Sequence, residues 1–324
     1  MIAYQIMAAT EPAYVQRLLR WMYRRENFYC VSVDAAADAQ PFRAVLPAVE
    51  NVQLLDEYPV VWGGVSQVLA LLRGIECCLK GGSSWQYFVN LTESCVPLRS
   101  QEAIYARLKR EREAGWQDFL TRSATPERPL SFETLQPPMA QPAVPVLEGM
   151  REDVRLYAHP QVQRLFARVR GSPIYHPPGR LAVHVTERME DKSLLIRPLH
   201  RHEVLLRRAF FQRYPPVFGK GYVVLSRSSC EWLVQWQGLP EVLAVLGNTL
   251  CPDETVLQTV LFQRGFPGFE AVKRDNMRFH QGAPEWVNDD LLETLKTSQA
   301  LFARKLRGSN AQATLDWLEE RQKA

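Results

Sequence analysis

Ala3-Tyr-Gln-Ile-Met-Ala8 leads through Pro12-Ala-Tyr-Val15-Gln-Arg-Leu18-Leu19-Arg-Trp-Met22 to Phe28-Tyr-Cys-Val-Ser-Val33-Asp34. The first run is short and apolar and reads as a strand. Pro12 suits the first turn of a helix, where its missing N–H costs nothing. Val15, Leu18, Leu19 and Met22 recur at three- and four-residue spacing, so one helix face is buried. Asn27 ends the helix, and residues 28–33 form a continuous β-type run that stops at Asp34. Strand, helix and strand in this order make a βαβ unit, which needs a parallel sheet. Ligands of such sheets gather at the carboxyl ends of the strands, which is where Asp34 falls.

Outward from this unit, Asn51–Leu55 reads as a third strand. After Trp62-Gly63-Gly64 a helix carrying Val68, Leu69, Leu71, Leu72 and Ile75 runs to about Lys80. Gly81-Gly82-Ser83-Ser84 breaks it, and Trp85–Leu91 is a buried strand. Pro97 and a start signal at Ser100/Glu102 introduce a charged helix near 101–113. Pro126, Pro129, Pro137, Pro138, Pro142 and Pro145 then mark an extended surface segment, with a helix expected over His159–Arg170. Residues 221–226 predict a strand, and helices are expected at 228–237, 240–247, 254–263, 288–298 and 311–322. No internal repeat is present. The chain therefore reads as a single α/β domain over 1–324, with a proline-rich insertion around 115–215.

The chain has 324 residues, 46% of them hydrophobic and 23% charged, enough to bury a large core. Its 39 basic and 35 acidic residues leave a net charge of +4, too mild to argue for a nucleic-acid partner. Arg197, His200, Arg201, His202, Arg207, Arg208 and Arg213 form a basic run. It reads first as a solvated helix face, with an anionic acceptor or a peripheral membrane contact as the alternative. No secretory signal or membrane-length apolar run is visible, so a cytoplasmic location, at most at the inner face of a membrane, is expected. Cys30, Cys77, Cys78, Cys95, Cys230 and Cys251 follow no zinc spacing and read as reduced thiols in or near the core.

The sequence lacks a Gly-x-Gly-x-x-Gly turn, a phosphate-cradling Gly-rich loop with Lys-Ser/Thr, and a Gly-x-Ser-x-Gly elbow. No histidine pair has zinc spacing, and no strand ends in Asp-x-Asp. Cys251-Pro252-Asp253-Glu254 enters the apolar run Val256, Leu257, Val260, Leu261, so Glu254 is expected in the first turn of a helix, where the dipole favours a carboxylate. Facing a cleft, it could act as a general base. Arg278 and Lys305 are the cations a diphosphate leaving group would need.

Ala3–Asp34 resembles the amino-terminal βαβ of the core-2/I-branching β-1,6-N-acetylglucosaminyltransferases, the family that includes the peptide xylosyltransferases. The resemblance continues in order through Val61-Trp62-Gly63-Gly64, Trp85–Leu98, Gly219–Arg227, Pro252–Leu261, Arg274–Phe279 and Ala300–Lys305. It implies a GT-A-like (Rossmann-like) mixed sheet flanked by helices, and an inverting, metal-independent transfer from a UDP-sugar. N-acetylglucosamine is the preferred donor sugar and xylose the second, and the acceptor is a glycan or lipid-linked glycan hydroxyl. By the same resemblance Glu254 is the catalytic base, Arg278 and Lys305 hold the diphosphate, and Met7, Asp34 and Trp62 line the uridine. No cofactor is implied. Cys95 stands where the family has Asp, Lys220 where it has Ser, and Ala9-Thr10 where it has His-His. Cys95 and Lys220 therefore mark the acceptor side, and these departures leave open a catalytically silent glycan- or nucleotide-binding relative. Each residue also has a bland reading: a helix-start carboxylate for Glu254, a loop cap for Asp34, surface charges for Arg278 and Lys305, a core aromatic for Trp62 and a buried thiol for Cys95.

Overall fold

The computed structural model describes residues 1–82, 84–122, 179–279, 287–306 and 311–323. Strand β1 (Ile2–Ala8) passes through helix α1 (Pro12–Met22) to β2 (Phe28–Val33). Helix α2 (Gln40–Val45), β3 (Val52–Leu55), α3 (Ser66–Gly81) and β4 (Tyr87–Thr92) follow. Next come β5 (Val96–Pro97), α4 (Gln101–Glu113) and β6 (Asp118–Leu120). The expected proline-rich segment and the helix over His159–Arg170 lie outside the described residues. Description resumes with a 3-10 turn (Gly179–Ala182), the hairpin β7 (Val183–Arg188) and β8 (Ser193–Pro198), and helix α5 (Arg201–Arg213). Strand β9 (Val223–Ser226), α6 (Arg227–Gln235), α7 (Leu239–Leu246), α8 (Val256–Leu261), β10 (Val272–Lys273), β11 (Arg278–Phe279), α9 (Leu292–Thr297), β12 (Phe302–Ala303) and α10 (Gln312–Lys323) complete the chain.

The main sheet has seven strands in the order β10-β6-β9-β4-β1-β2-β3. Strands β2 and β4 both run parallel to β1, and β3 runs parallel to β2. Strand β9 is antiparallel to β4 and β6, so the sheet is mixed. The centre of this sheet was legible from its apolar runs, because a parallel strand covered on both faces needs no polar alternation. Ile2, Tyr4, Ile6 and Ala8 of β1 enter one apolar layer with α1, α4 and α10. Ala3 enters the other, with α3, α6, α7 and α8. A third, small core joins Val61 to Val183, Val185, Leu194 and Ile196 of the hairpin and to Leu250 and Cys251.

Val15, Leu18, Leu19 and Met22 are buried along α1 as their spacing predicts. Helix α3 begins at Ser66, two residues after Gly64, because Gly63 has φ +78°, which a glycine adopts without strain. Leu69 points to solvent while Val68, Leu71, Leu72 and Ile75 are buried. A Cβ at Gly74 would stand 2.1 Å from Cδ of Gln5, whose amide donates to Ala70 O at 2.8 Å, so this mid-helix glycine makes room for a core polar side chain. The expected helix over 254–263 is corrected. Pro252–Glu254 form a 3-10 turn, the chain kinks at Thr255 (φ −136°, ψ −40°), and the α-helix starts at Val256. Glu254 thus precedes a six-residue helix and sits outside its first turn.

Among the described residues, the strands of the main sheet carry one buried carboxyl. Asp118 on β6 accepts from Ser226 N at 2.7 Å and from Ser229 Oγ at 2.7 Å, fastening the start of α6. Burial pushes its carboxyl up to about 6, against those hydrogen bonds. A carboxyl raised on folding contributes stability that is present below its unfolded value near 3.8 and is lost as pH rises through about 6. Asp118→Asn keeps an acceptor but cannot titrate. Its destabilisation should therefore be largest near pH 4 and smaller at pH 7.5, by roughly 1–3 kcal/mol. Urea unfolding of both proteins across that range measures the difference, and a pH-independent gap would refute the assignment.

Candidate active site

The carboxyl edge of the sheet is closed by Glu93, just past β4. Its Oε2 accepts from the amides of Ala9 (3.0 Å), Thr10 (3.2 Å) and Glu11 (3.2 Å), and its Oε1 from Thr10 Oγ1 (2.6 Å). Beside it, Asp34 follows β2, with its N–H donating to Ala8 O at 2.9 Å. Asp34 Oδ1 accepts from Ala36 N (3.0 Å) and Val60 N (3.1 Å), and Oδ2 is ion-paired with Lys192 Nζ. Asp34 and Lys192 are both buried. Met7 is the one residue of β1 that is not fully buried, and it sits level with Ser32 and Thr92 on the neighbouring strands. Trp62 is partly buried and packs on the small core under the hairpin.

This edge is tied to Glu254 through backbone. Val60 N reaches Asp34, and two residues beyond Val61 the carbonyl of Gly63 accepts from Cys251 N at 2.9 Å. Cys251, in the left-handed region at φ 54°, starts the turn that carries Asp253 and Glu254. Glu254 Oε2 accepts from Arg180 Nη1 at 2.5 Å, and Lys220 Nζ lies 3.9 Å from Oε1. The Arg180 side chain is 7% exposed, Glu254 19% and Lys220 45%, so the cluster runs from the interior to the surface. Glu254 O also accepts from Gly219 N at 2.8 Å. Burial first, and then the Glu254 charge, push the adjacent Asp253 carboxyl up to about 7, against Arg180 and Arg304.

Arg278 and Lys305 lie on a second group of elements, the small sheet β11-β12-β5 and the loop after it. Arg278 is buried. Its Nη1 donates to Asn276 O at 2.7 Å, and its Nη2 to the carbonyls of Asn90 and of Val223, the latter at 3.4 Å. Its guanidinium lies 5.1 Å from the Tyr222 ring and 5.5 Å from the Phe302 ring, and burial lowers its pKa to about 10, so it stays cationic at neutral pH. Two of its nitrogens are thus committed to carbonyls, and its Nε has no partner among the described residues. Lys305 is partly buried and its carbonyl accepts from Val287 N at 2.8 Å. Cys95 is buried, with Sγ 3.3 Å from Thr92 N and 3.4 Å from Thr92 Oγ1. All six cysteines are buried and free.

Sequence reasoning missed three cations. Arg180 follows Pro177-Pro178 in a stretch without periodicity, and Lys192 ends a Glu190-Asp191-Lys192 turn that looks like ordinary surface. Arg304 stacks 4.5 Å from the Tyr222 ring, next to Lys305, and its charge reaches Asp253. Only its place inside the Ala300–Lys305 block could have drawn attention to it. Among the described residues, no three His, Cys, Asp or Glu side chains converge in a way that could hold a metal ion.

The mixed sheet with helices on both faces defines a GT-A-like α/β protein. Residues 2–127 match the model of the family described as Core-2/I-Branching enzyme. A xylosyltransferase of Ciona intestinalis is 30% identical over 106 residues, 32% of this chain and 12% of its own length. The β-1,3-galactosyl-O-glycosyl-glycoprotein β-1,6-N-acetylglucosaminyltransferases of bovine herpesvirus 4 and Bos taurus are each 30% identical over 112 residues, 33% of this chain and 26% of theirs. The matched region thus spans between about an eighth and a quarter of the length of these curated relatives. The family match over residues 2–127 contains Met7, Asp34, Trp62 and Cys95 and ends before Glu254.

Glu254 and Arg180 are expected to depend on one another, because the two are ion-paired with both side chains largely buried. A double-mutant cycle over Arg180→Gln and Glu254→Gln, read in unfolding free energy, should return a coupling of about 1–3 kcal/mol. A coupling near zero would mean the pair is no more than proximity.

Proposed function

We propose that the chain is a glycosyltransferase that moves a sugar from a UDP-sugar to a glycan hydroxyl, with inversion and without a metal. The observation that carries this reading is Glu254, held by Arg180 at one oxygen, near the exposed Lys220 at the other, and joined to the Asp34 edge through the Gly63–Cys251 hydrogen bond. The Core-2/I-Branching match over residues 2–127 supports the donor side.

In this reading the acceptor hydroxyl attacks the anomeric carbon while its proton passes to Glu254. The new C–O bond forms as the bond from the anomeric carbon to the β-phosphate oxygen breaks, and UDP leaves with that electron pair. The base contribution is typically about a hundred- to ten-thousand-fold. Lys305, with Arg304 as a neighbouring cation, would stabilise the charge that develops on the leaving diphosphate. The buried Arg278 would help through its field and by fixing Tyr222. Met7 and Trp62 would line the nucleoside, and Asp34 would accept from it by exchanging Lys192. Lys220 and Cys95 would stand on the acceptor side. N-acetylglucosamine is the preferred donor sugar. The xylosyltransferase among the relatives favours UDP-xylose as a second reading. The acceptor would be a glycan or lipid-linked glycan in surface polysaccharide or glycoconjugate synthesis, made on the cytoplasmic side.

The test is UDP release from UDP-N-acetylglucosamine and from UDP-xylose in the presence of EDTA. Turnover should persist under chelation, and its loss would refute metal independence. Glu254→Gln should lower turnover about a hundredfold or more while still binding UDP; near-parental turnover would remove Glu254 as the base. Lys305→Ala should weaken UDP binding in calorimetry by roughly tenfold to a hundredfold, the loss of a charge-assisted contact, and unchanged affinity would take Lys305 out of the site.

A further inference from the structure

We propose that helix α5 docks the protein on an anionic lipid surface. The helix buries Val204, Arg207, Phe210 and Phe211, which leaves Arg201, His202, Leu205, Leu206, Arg208, Ala209, Gln212 and Arg213 exposed. At about 100° per residue these eight form one continuous arc, with Leu205 near its centre and Leu206 at its edge. Leu205 is 53% exposed and Leu206 64%, the two most exposed large apolar side chains among the described residues. No acidic residue lies on that arc.

The surrounding charge selects the partner. Arg201 and Arg208 flank Leu205 on one side, and no ion pair among the described residues involves either of them. The carboxylates near α5 are already committed. Glu203 is clamped by Arg197 at 2.7 and 2.8 Å and accepts from His184 Nδ1 at 2.8 Å, and Glu241 is paired with Arg213. Leu195, on the same hairpin face as Arg197, is also exposed. Exposed leucines flanked by guanidinium groups that pair with no carboxylate among the described residues fit a bilayer of anionic headgroups, where the leucines enter the acyl boundary and the arginines meet phosphate.

The helix is also coupled to the candidate site. Arg207, on its inner face, donates to the carbonyls of Leu181, of Val183 at 2.8 Å and of Asn248 at 3.0 Å. Leu181 directly follows Arg180, the partner of Glu254. Docking through α5 would therefore hold Glu254 at a fixed position relative to the membrane.

The experiment is co-sedimentation of the full chain, without nucleotide sugar, with phosphatidylcholine vesicles and with phosphatidylcholine–phosphatidylglycerol vesicles. The protein should sediment with the anionic vesicles only and be released by added salt. The double variant Leu205→Ser/Leu206→Ser, and separately Arg201→Glu/Arg208→Glu, should lower the partition constant about tenfold or more. Thermal unfolding should stay near the parent's, since these side chains project into solvent. Equal partitioning of the parent onto both vesicle types, or parental binding by the leucine variant, overturns the proposal. So does a parent dimer in light scattering that the leucine variant dissociates, which would assign the face to a second copy. Because the readout uses no sugar donor, it is independent of whether the chain transfers sugar.

Discussion

The carboxylate of Glu93 sets the geometry of the sheet's functional edge. Helix α1 has no side-chain cap of its own, so the amides before it need an acceptor from elsewhere. Glu93 takes three of them and one hydroxyl. Its own N–H donates to Met7 O at 2.9 Å, so the ends of β1 and β4 are locked together in both directions. The same contact has an electrostatic consequence. The first strand–helix corner of an open α/β sheet ordinarily offers free amides to an anion, but here a carboxylate already fills it and would repel a phosphate. Under the proposed function, stabilisation of a diphosphate would then come from side-chain cations on later elements, such as Arg304 and Lys305.

Around Lys220 the chain is closely packed. A Cβ at Gly219 would stand 2.1 Å from Thr121 O, and one at Gly221 would stand 2.5 Å from Asp253 Oδ2. Glycine at both positions lets the segment pass between the end of β6 and the Asp253 turn, and Lys220 is the side chain left between them. Its N–H donates to Thr121 Oγ1 at 2.6 Å and its carbonyl accepts from Gln258 Nε2 at 2.7 Å, so the backbone is fixed while the ammonium stays exposed. Asp253, with its carboxyl raised to about 7, is only partly ionised beside Glu254 at neutral pH. The two neighbouring carboxylates therefore differ in kind. One is paired with a guanidinium, and the other has its carboxyl raised by burial and by its neighbour.

Much of the first ninety residues could be read from local pattern. The βαβ unit, the buried stripe of α1 and the strand before Glu93 all rest on runs and spacings within a few residues. Glu254 was also visible, although its exact setting was not. Pro252 and the left-handed Cys251 tighten the chain into a 3-10 turn, and Thr255 kinks it before a regular helix begins. What stayed hidden were partners distant in sequence. Arg180 lies 74 residues before Glu254, and Lys192 lies 158 residues after Asp34. Both are ordinary charged residues in irregular local sequence, and only the folding of the hairpin over the Val61 loop gives them their roles. Arg278 shows the opposite failure. Its position was noticed, but nothing in the sequence shows that its guanidinium would be buried on backbone carbonyls and between two rings.

Arg207 links helix α5 to the backbone beside the site. An arginine is needed there because a planar fork with five donors can reach three carbonyls on two separate segments, which a single ammonium on a flexible stem does poorly. Burial lowers its pKa to about 10, so at neutral pH it remains charged and must keep those acceptors. That requirement fixes the rotation of α5 about its own axis. With Val204, Arg207, Phe210 and Phe211 all pointing inward, the helix cannot turn to bury Leu205 or Leu206 without pulling Arg207 from the carbonyls of Leu181 and Val183. The exposure of the two leucines is thus enforced by the same contact that anchors the backbone next to Arg180, and the outer face of α5 and the setting of Glu254 cannot change independently.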